Sequence, residues 1–561
     1  MQGSHTDVTT IEVNERTAPF AEGVVRVGDL EVVISSADVD QGRRLDLSVR
    51  NGGRATVALA DVVLSVTAAP ERVLEHGHQS WSVVRRTAPG DLRPERLDLP
   101  DWAKGSHLSR PEGAGRVLAG DQFLVTTGGV AGFLDARHHL GTVEALPTPG
   151  GGLRVRAMFD DVPLGAGEER DLDPIWLADG DAGIRYSDFA SLWGTTAAAR
   201  ISAPAPLGWC SWYQYFSDVT PADVRANLEA LAGRGFELVQ IDDGYQAAIG
   251  DWRSYTPEWK EGVSPLAREI RHAGMQAGIW TAPFLAGPDS EVLRDHPDWA
   301  STHAPTGYPS KAAYNASNWG GWAVALDTTR PDVLDHLRTT YAALVDDGFD
   351  YHKIDFCYAA ALPARRADPT RTRAQALRAG LEAVRDGIGD RSFLLGCGCP
   401  FGPAVGVVDA MRVSADVAPI WAPDQHWPGL YETAPAAVNA IAASVLRAPL
   451  HRRVFINDPD CLLLRPTDTG LDAGQRSFLA AVVTGTGAFT LVSDDLRRYT
   501  DAEWGLLEAL RSVHDDVDTL LDIDDPFADP VVVRSAAGSM LVVDWRSDAP
   551  GGPSAQLGIA D

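Results

Sequence analysis

Two segments carry residue types that could do chemistry together: Lys353-Ile-Asp355 and Arg412-Val-Ser-Ala-Asp416. A strand's period of two points the Lys353 and Asp355 side chains to one face. An ammonium beside a carboxylate lowers its pKa and keeps it ionised, as a nucleophile requires. Asp416, four residues after Arg412, supplies a second carboxyl group. Glycoside cleavage uses such a pair, one group attacking or stabilising the anomeric carbon and the other protonating the departing oxygen. A buried structural ion pair is the competing reading of Lys353 with Asp355. The lysine is nonetheless conspicuous, because only Lys104, Lys260, Lys311 and Lys353 are lysines among 49 basic residues. A compact ammonium is not interchangeable with a guanidinium.

Other polar and aromatic groups fit a sugar. The adjacent Asp242 and Asp243 could accept from two neighbouring hydroxyls. Ten of the sixteen tryptophans (209, 212, 252, 259, 280, 299, 319, 322, 421 and 427) fall in one central region, where indoles could stack on the apolar faces of sugar rings. Each has a blander reading, Asp as a helix cap and Trp as core packing.

Several classes are disfavoured. A net charge of −28 and a pI near 4.8 argue against nucleic acid. No uninterrupted apolar stretch reaches membrane-spanning length, and the polar opening of the chain shows no targeting signal. Five cysteines, odd in number, read as free thiols of a reducing compartment, so a cytoplasmic location is expected. Metal catalysis lacks an H-x-H or two-His-one-carboxylate spacing, and a serine hydrolase lacks its G-x-S-x-G elbow. His352 should face the packing outside the strand layer.

The elements that must position these groups come in three blocks. Val-rich or alternating runs at Gly23–Val33, Arg44–Val49, Ala55–Thr67 and Leu153–Phe159 predict an antiparallel β-sandwich. A helical segment at Ile184–Ala190 leads into a small-residue linker at Thr195–Pro206. Eight strands then alternate with helical segments: Leu207–Trp212, Leu238–Asp243, Gln276–Pro283, Tyr351–Tyr358, Ser392–Gly398, Asp409–Asp416, Arg453–Asp460 and Gly487–Asp494. That count predicts a (β/α)8 TIM barrel, with two doubly wound domains as the alternative. A helix near Asp501–His514 and β runs at Pro530–Arg534 and Ser539–Trp545 follow. The expected architecture is multidomain α/β: an N-terminal antiparallel β-sandwich over 1–195, a catalytic (β/α)8 barrel over 196–516 and a small C-terminal β-sheet domain over 517–561.

The motifs Gly208-Trp-Cys-Ser-Trp-Tyr-Gln-Tyr-Phe216, Gln240-Ile-Asp-Asp-Gly-Tyr245, Gly278-Ile-Trp-Thr-Ala-Pro-Phe284, Lys353-Ile-Asp-Phe356, Gly396-Cys-Gly398, Met411-Arg-Val-Ser-Ala-Asp416 and Asn457-Asp-Pro-Asp-Cys461 resemble glycoside hydrolase family 36, closest to its compact bacterial α-galactosidases. His78-Gln-Ser-Trp81 resembles the segment by which that family's β domain reaches the active site. The resemblance implies a retaining double displacement on terminal α-galactosides of melibiose or raffinose type, with no cofactor and no metal. It matches Asp355 to the nucleophile and Asp416 to the acid/base. Asp242 and Asp243 match the pair on the 4- and 6-hydroxyls, and Lys353 and Arg412 the groups around the 2- and 3-hydroxyls, with Cys397 nearby. Trp81, Trp212 and Trp280 match ring-contacting aromatics. Ala415 stands where the family often has proline. Asp458, Asp460, Asp494 and Asp495 receive no role from the resemblance and are treated as structural. A homo-oligomer is compatible with it. Two other readings stay open: a related α-glycosidase or transglycosylase (α-N-acetylgalactosaminidase, α-glucosidase or galactosyl transfer), and a non-catalytic sugar-binding protein.

Overall fold

A computed structural model describes residues 6–88, 105–110, 118–146, 151–315, 319–423, 431–487, 489–544 and 554–559. Lys104, Trp427 and Trp545 lie outside these residues. Eight strands form one parallel sheet curled into a barrel: β1 (Leu207–Cys210), β2 (Leu238–Ile241), β3 (Gln276–Thr281), β4 (Tyr351–Ile354), β5 (Phe393–Gly396), β6 (Ala410–Arg412), β7 (Ile456–Asp458) and β8 (Thr490–Val492). Each falls inside its expected run. β8 pairs with β1, and neighbours pair in order from β1 to β7. The seam between β7 and β8 is closed by the loop after β7, where Leu462 bridges to Val492. The strands are buried at nearly every position, as in a sheet covered on both faces.

The crossover helices owe their ends to local chemistry. Arg373–Ile388 starts with a capping box, in which Thr372 accepts from the Gln375 amide and Gln375 reaches back to Thr372. Pro331–Asp346 starts with proline at its first position, where no amide hydrogen is needed. His352 faces outward as expected, with its ring 5.9 Å from that of Tyr341 on this helix.

Before the barrel, antiparallel sheets of six and nine strands enclose a shared aliphatic core, confirming the expected sandwich character. The run Gly23–Val33 is not one strand but a hairpin, Gly23–Val27 and Leu30–Val39, turning at Gly28 with φ of 63°. The helix expected at Ile184–Ala190 runs from Ala182 to Thr196, and so includes the start of the expected linker. Its Phe189 and Trp193 belong to the same hydrophobic cluster as the barrel. A four-stranded antiparallel sheet follows the barrel. Among the elements not anticipated are the helix Ser264–His272 between β2 and β3, and a three-stranded antiparallel sheet of Leu285–Ala286, Gly321–Ala325 and Lys311–Asn315 between β3 and β4.

Candidate active site

The C-terminal ends of barrel strands are where side chains from different strands converge. There, Trp81, Trp212, Asp242, Asp243, Trp280, Lys353, Asp355, Arg412 and Asp416 line one cavity. Of the expected site residues, Cys397 alone is not in its wall. It is buried behind it, with the Arg412 guanidinium 3.9 Å from its sulfur. Burial pushes its thiol pKa well up, so it is not a reactive thiolate.

Asp355 follows the last residue of β4, and its amide donates to Thr281 O of β3 (2.8 Å). Both its oxygens are occupied by donors: Oδ1 by the Phe356 amide (2.7 Å) and Oδ2 by Trp280 Nε1 (3.1 Å). Phe356 adopts φ of 53°, the left-handed conformation, at this turn. Lys353 faces the cavity as expected, but its ammonium bonds Asp242 Oδ2 (2.9 Å), so the direct pair is with Asp242 and not with Asp355. Lys353 acts on Asp355 as a nearby charge only. Burial raises the Asp355 pKa and outweighs the lowering by Lys353 and Trp280, which corrects the expectation of a lowered value.

Asp416 lies in the loop after β6. Its Oδ1 accepts from Arg412 Nη2 (2.8 Å) and Trp81 Nε1 (3.0 Å), while Oδ2 accepts from no described residue. Burial and then the negative Asp460 raise its pKa, against the lowering by Arg412. Its side chain is 32% exposed, unlike the enclosed Asp355.

Trp81 comes from the sandwich. The paired strands Val73–His76 and Val84–Thr87 hold the loop carrying it. The loop is tied to the barrel by Ser80 Oγ, which accepts from the Gly398 amide (3.1 Å), and by buried Arg447, which donates to Ser80 O (3.2 Å). Gly398 (φ 50°) explains the second glycine of Gly396-Cys-Gly398, because a Cβ there would lie 2.9 Å from the Trp81 ring.

β2 ends at Ile241, so the alternation of strand side chains no longer applies and the consecutive Asp242 and Asp243 both reach the cavity. Asp242 also accepts from Gln240 Nε2 (2.6 Å) and the Asp243 amide (3.0 Å). Asp243 accepts from Gln246 Nε2 (2.5 Å) and Trp319 Nε1 (3.0 Å).

Tyr213, Asn315, Trp319 and Phe356 also line the cavity, though sequence reasoning gives none of them a site role; Trp319 counts only among the tryptophans that could stack on sugars. Tyr213 and Phe356 sit inside quoted motifs next to selected residues, a signal that was available. Asn315 and Trp319 arrive on the unanticipated three-stranded sheet and its connection, for which no local pattern existed. Conversely, Trp209 and Trp259 are buried, their indole N–H groups donating to Asp494 O and Val219 O (both 2.9 Å), so they are packing rather than cavity wall. Asp494 is bound to Arg465 (2.8 Å) and the Tyr499 hydroxyl (2.6 Å), and Asp495 caps the turn Leu496–Arg498. Among the described residues no three His, Cys, Asp or Glu side chains are grouped to hold a metal ion, and no helix is long and apolar enough to cross a membrane. All five cysteines are free and buried.

Cavity and barrel together form a (β/α)8 fold with a carboxylate- and tryptophan-lined cavity at the C-terminal ends of its strands. Residues 199–386 match the model of the Melibiase family. An α-galactosidase of Escherichia coli is 25% identical over 158 residues, 27% of this chain and 20% of that protein. The α-galactosidase AgaA of Geobacillus stearothermophilus is 29% identical over 137 residues, 23% and 18% of the two chains. These alignments span only about a fifth of the curated relatives' own lengths. TtGalA, an α-galactosidase from Thermus thermophilus solved with p-nitrophenyl α-D-galactopyranoside, superposes with TM-score 0.72 and 25% identity over 95% of this chain and 98% of its own. The resemblance to glycoside hydrolase family 36 read from the motifs is borne out, and with it the multidomain barrel fold.

Proposed function

We propose that the chain is a retaining α-galactosidase that hydrolyses terminal non-reducing α-galactosyl residues of oligosaccharides by double displacement. One observation carries the reading: the two cavity carboxyls are held in opposite hydrogen-bonding states. Asp355 accepts an N–H on each oxygen, an arrangement that suits the ionised group, whereas Asp416 takes both its donors on Oδ1 and leaves Oδ2 without a donor among the described residues, where a proton can sit. Asp355 then attacks the anomeric carbon as Asp416 protonates the glycosidic oxygen, and the aglycone leaves. Asp416, now ionised, takes a proton from water, which attacks the anomeric carbon from the face the aglycone left, breaks the galactosyl–Asp355 bond and restores both carboxyl groups.

Asp242 and Asp243 accept from the 4- and 6-hydroxyls, Lys353 and Arg412 border the 2- and 3-hydroxyls with Cys397 behind them, and Trp81, Trp212 and Trp280 wall the ring. The Thermus protein's structures with p-nitrophenyl α-D-galactopyranoside and with stachyose support this substrate class. We assign the sandwich to 1–195, the catalytic barrel to 196–516 and the final sheet to 517–561, and place the protein in the cytoplasm, a reading supported by its unpaired cysteines.

Asp355→Asn should leave no more than a few per cent of wild-type turnover of an aryl α-galactoside. NMR of the first-formed product should show α-galactose; initial β-galactose would overturn the roles of Asp355 and Asp416. A panel of aryl α-glycosides should favour the axial 4-hydroxyl of galactose over the equatorial one of glucose.

A further inference from the structure

Asp460 has no place in the mechanism above, yet the groups it binds are those that hold Asp416. It lies two residues beyond β7 in the left-handed conformation, at φ of 79°, with its amide donating to Asp458 Oδ1 (2.9 Å). Its Oδ2 accepts from the amide of Val417 (2.7 Å), the residue after the acid. The same oxygen accepts from the Tyr213 hydroxyl (2.5 Å) and from Arg412 Nη2, the nitrogen that also bonds Asp416 Oδ1. Ser414, inside the acid's loop, donates to Pro459 O (2.9 Å) and so fastens that loop to the same turn.

We propose that Asp460 is a positioning residue for the acid: by holding Arg412, the Tyr213 hydroxyl and the Val417 amide on one oxygen, it fixes the loop that presents Asp416 Oδ2 and shares the Arg412 charge that would otherwise fall on Asp416 alone. The inference rests on Asp416 being the acid. A left-handed aspartate is an uncommon conformer, and the geometry here turns its carboxylate onto all three partners at once. The charged and titratable groups facing Asp416 are Arg412 on β6, Lys353 and Asp355 at the end of β4, Cys397 after β5, Asp458 and Asp460 at β7, and Tyr213 after β1. Among them Arg412 and Lys353 favour the ionised acid, while Asp460 opposes it. Burial holds the Tyr213 hydroxyl pKa far up, so it stays a donor throughout the working range.

Asp460→Asn keeps the shape and removes one negative charge. The Asp416 pKa should fall, so the basic limb of the kcat/KM profile on melibiose should move about one pH unit or more toward acid. α-Galactosyl fluoride, whose leaving group needs no proton, should lose only a few-fold in rate, against a loss on melibiose about ten-fold larger. Asp460→Glu, which restores the charge, should return the limb toward wild type. Tyr213→Phe removes a donor that keeps Asp460 ionised and should shift the limb the same way by less, so the test survives if Asp460→Asn does not fold. An unmoved limb with equal losses on both substrates would make Asp460 merely structural and overturn the inference. Failure of the wild-type protein to turn over the fluoride would instead overturn the α-galactosidase reading.

Discussion

The Lys353 ammonium reaches across the barrel interior to Asp242, two strands away, and leaves Asp355 two residues along its own chain without a direct cation. Both partners are at least nine-tenths buried, so neither charge has water to fall back on. Lys353→Met should strand the Asp242 carboxylate, lowering stability by about 3–5 kcal/mol. Urea unfolding measures that cost, and kcat/KM on an aryl α-galactoside should fall about 100-fold or more. Unchanged stability would show that the pair is not part of what holds β2 and β4 together.

Trp81→Phe keeps a ring against Phe356, whose centroid is 5.0 Å away, and removes the N–H donated to Asp416. That donor favours the ionised carboxylate. Its loss should therefore raise the Asp416 pKa and move the basic limb of the pH–rate profile toward alkali, opposite in sign to Asp460→Asn. A limb that stays put would remove Trp81 from the acid's control.

Trp319→Phe removes the donor to Asp243 Oδ2 and leaves Gln246 in place. One buried charge-assisted hydrogen bond is worth about 1.5–3 kcal/mol. Galactose inhibition should therefore weaken by about ten-fold or more, with kcat much less affected, as steady-state kinetics would read. A kcat loss at unchanged inhibition would place Trp319 in the chemistry instead of in binding.

Asp121, in the sandwich, is pushed up to about 7 by burial, against the lowering by the Ser109 hydroxyl bonded to it. An unfolded aspartate titrates near about 3.9. The folded form holds the proton more tightly, so the contribution is complete below about pH 4 and is lost as pH rises through about 7. Asp121→Asn should thus stabilise the protein by about 2–4 kcal/mol at pH 8 and by little at pH 4. Equal effects on the melting temperature at both pH values would contradict the assignment.

The barrel was legible because its strands are buried on both faces and bounded by Gly, Pro and Asp, a pattern that exists within each segment. The motif residues at strand ends were legible for the same reason: position on a strand fixes which end of the barrel a side chain reaches. Partner choice was not. Lys353 lies nearest Asp355 in sequence but chooses Asp242, because the curvature of the closed sheet, which no local spacing encodes, brings β2 and β4 together around the interior. Trp319 and Asn315 escaped because an insertion supplies them, and Asp460 because its role depends on a backbone conformation invisible in its residue type. The tryptophan excess divides in the same way: Trp212 and Trp280 reach the cavity, while Trp209 is spent on packing beneath it.

Trp81 stands on a hairpin of the nine-stranded sheet and completes the surroundings of a carboxyl group carried by the barrel. Unseating the hairpin's loop from Gly398 and Arg447 would take the Trp81 donor from Asp416 while leaving the barrel intact. Local openings of that kind cost less than global unfolding. Heat that opens this contact should shift the basic limb of the pH–rate profile toward alkali at temperatures where circular dichroism is still native, as Trp81→Phe does.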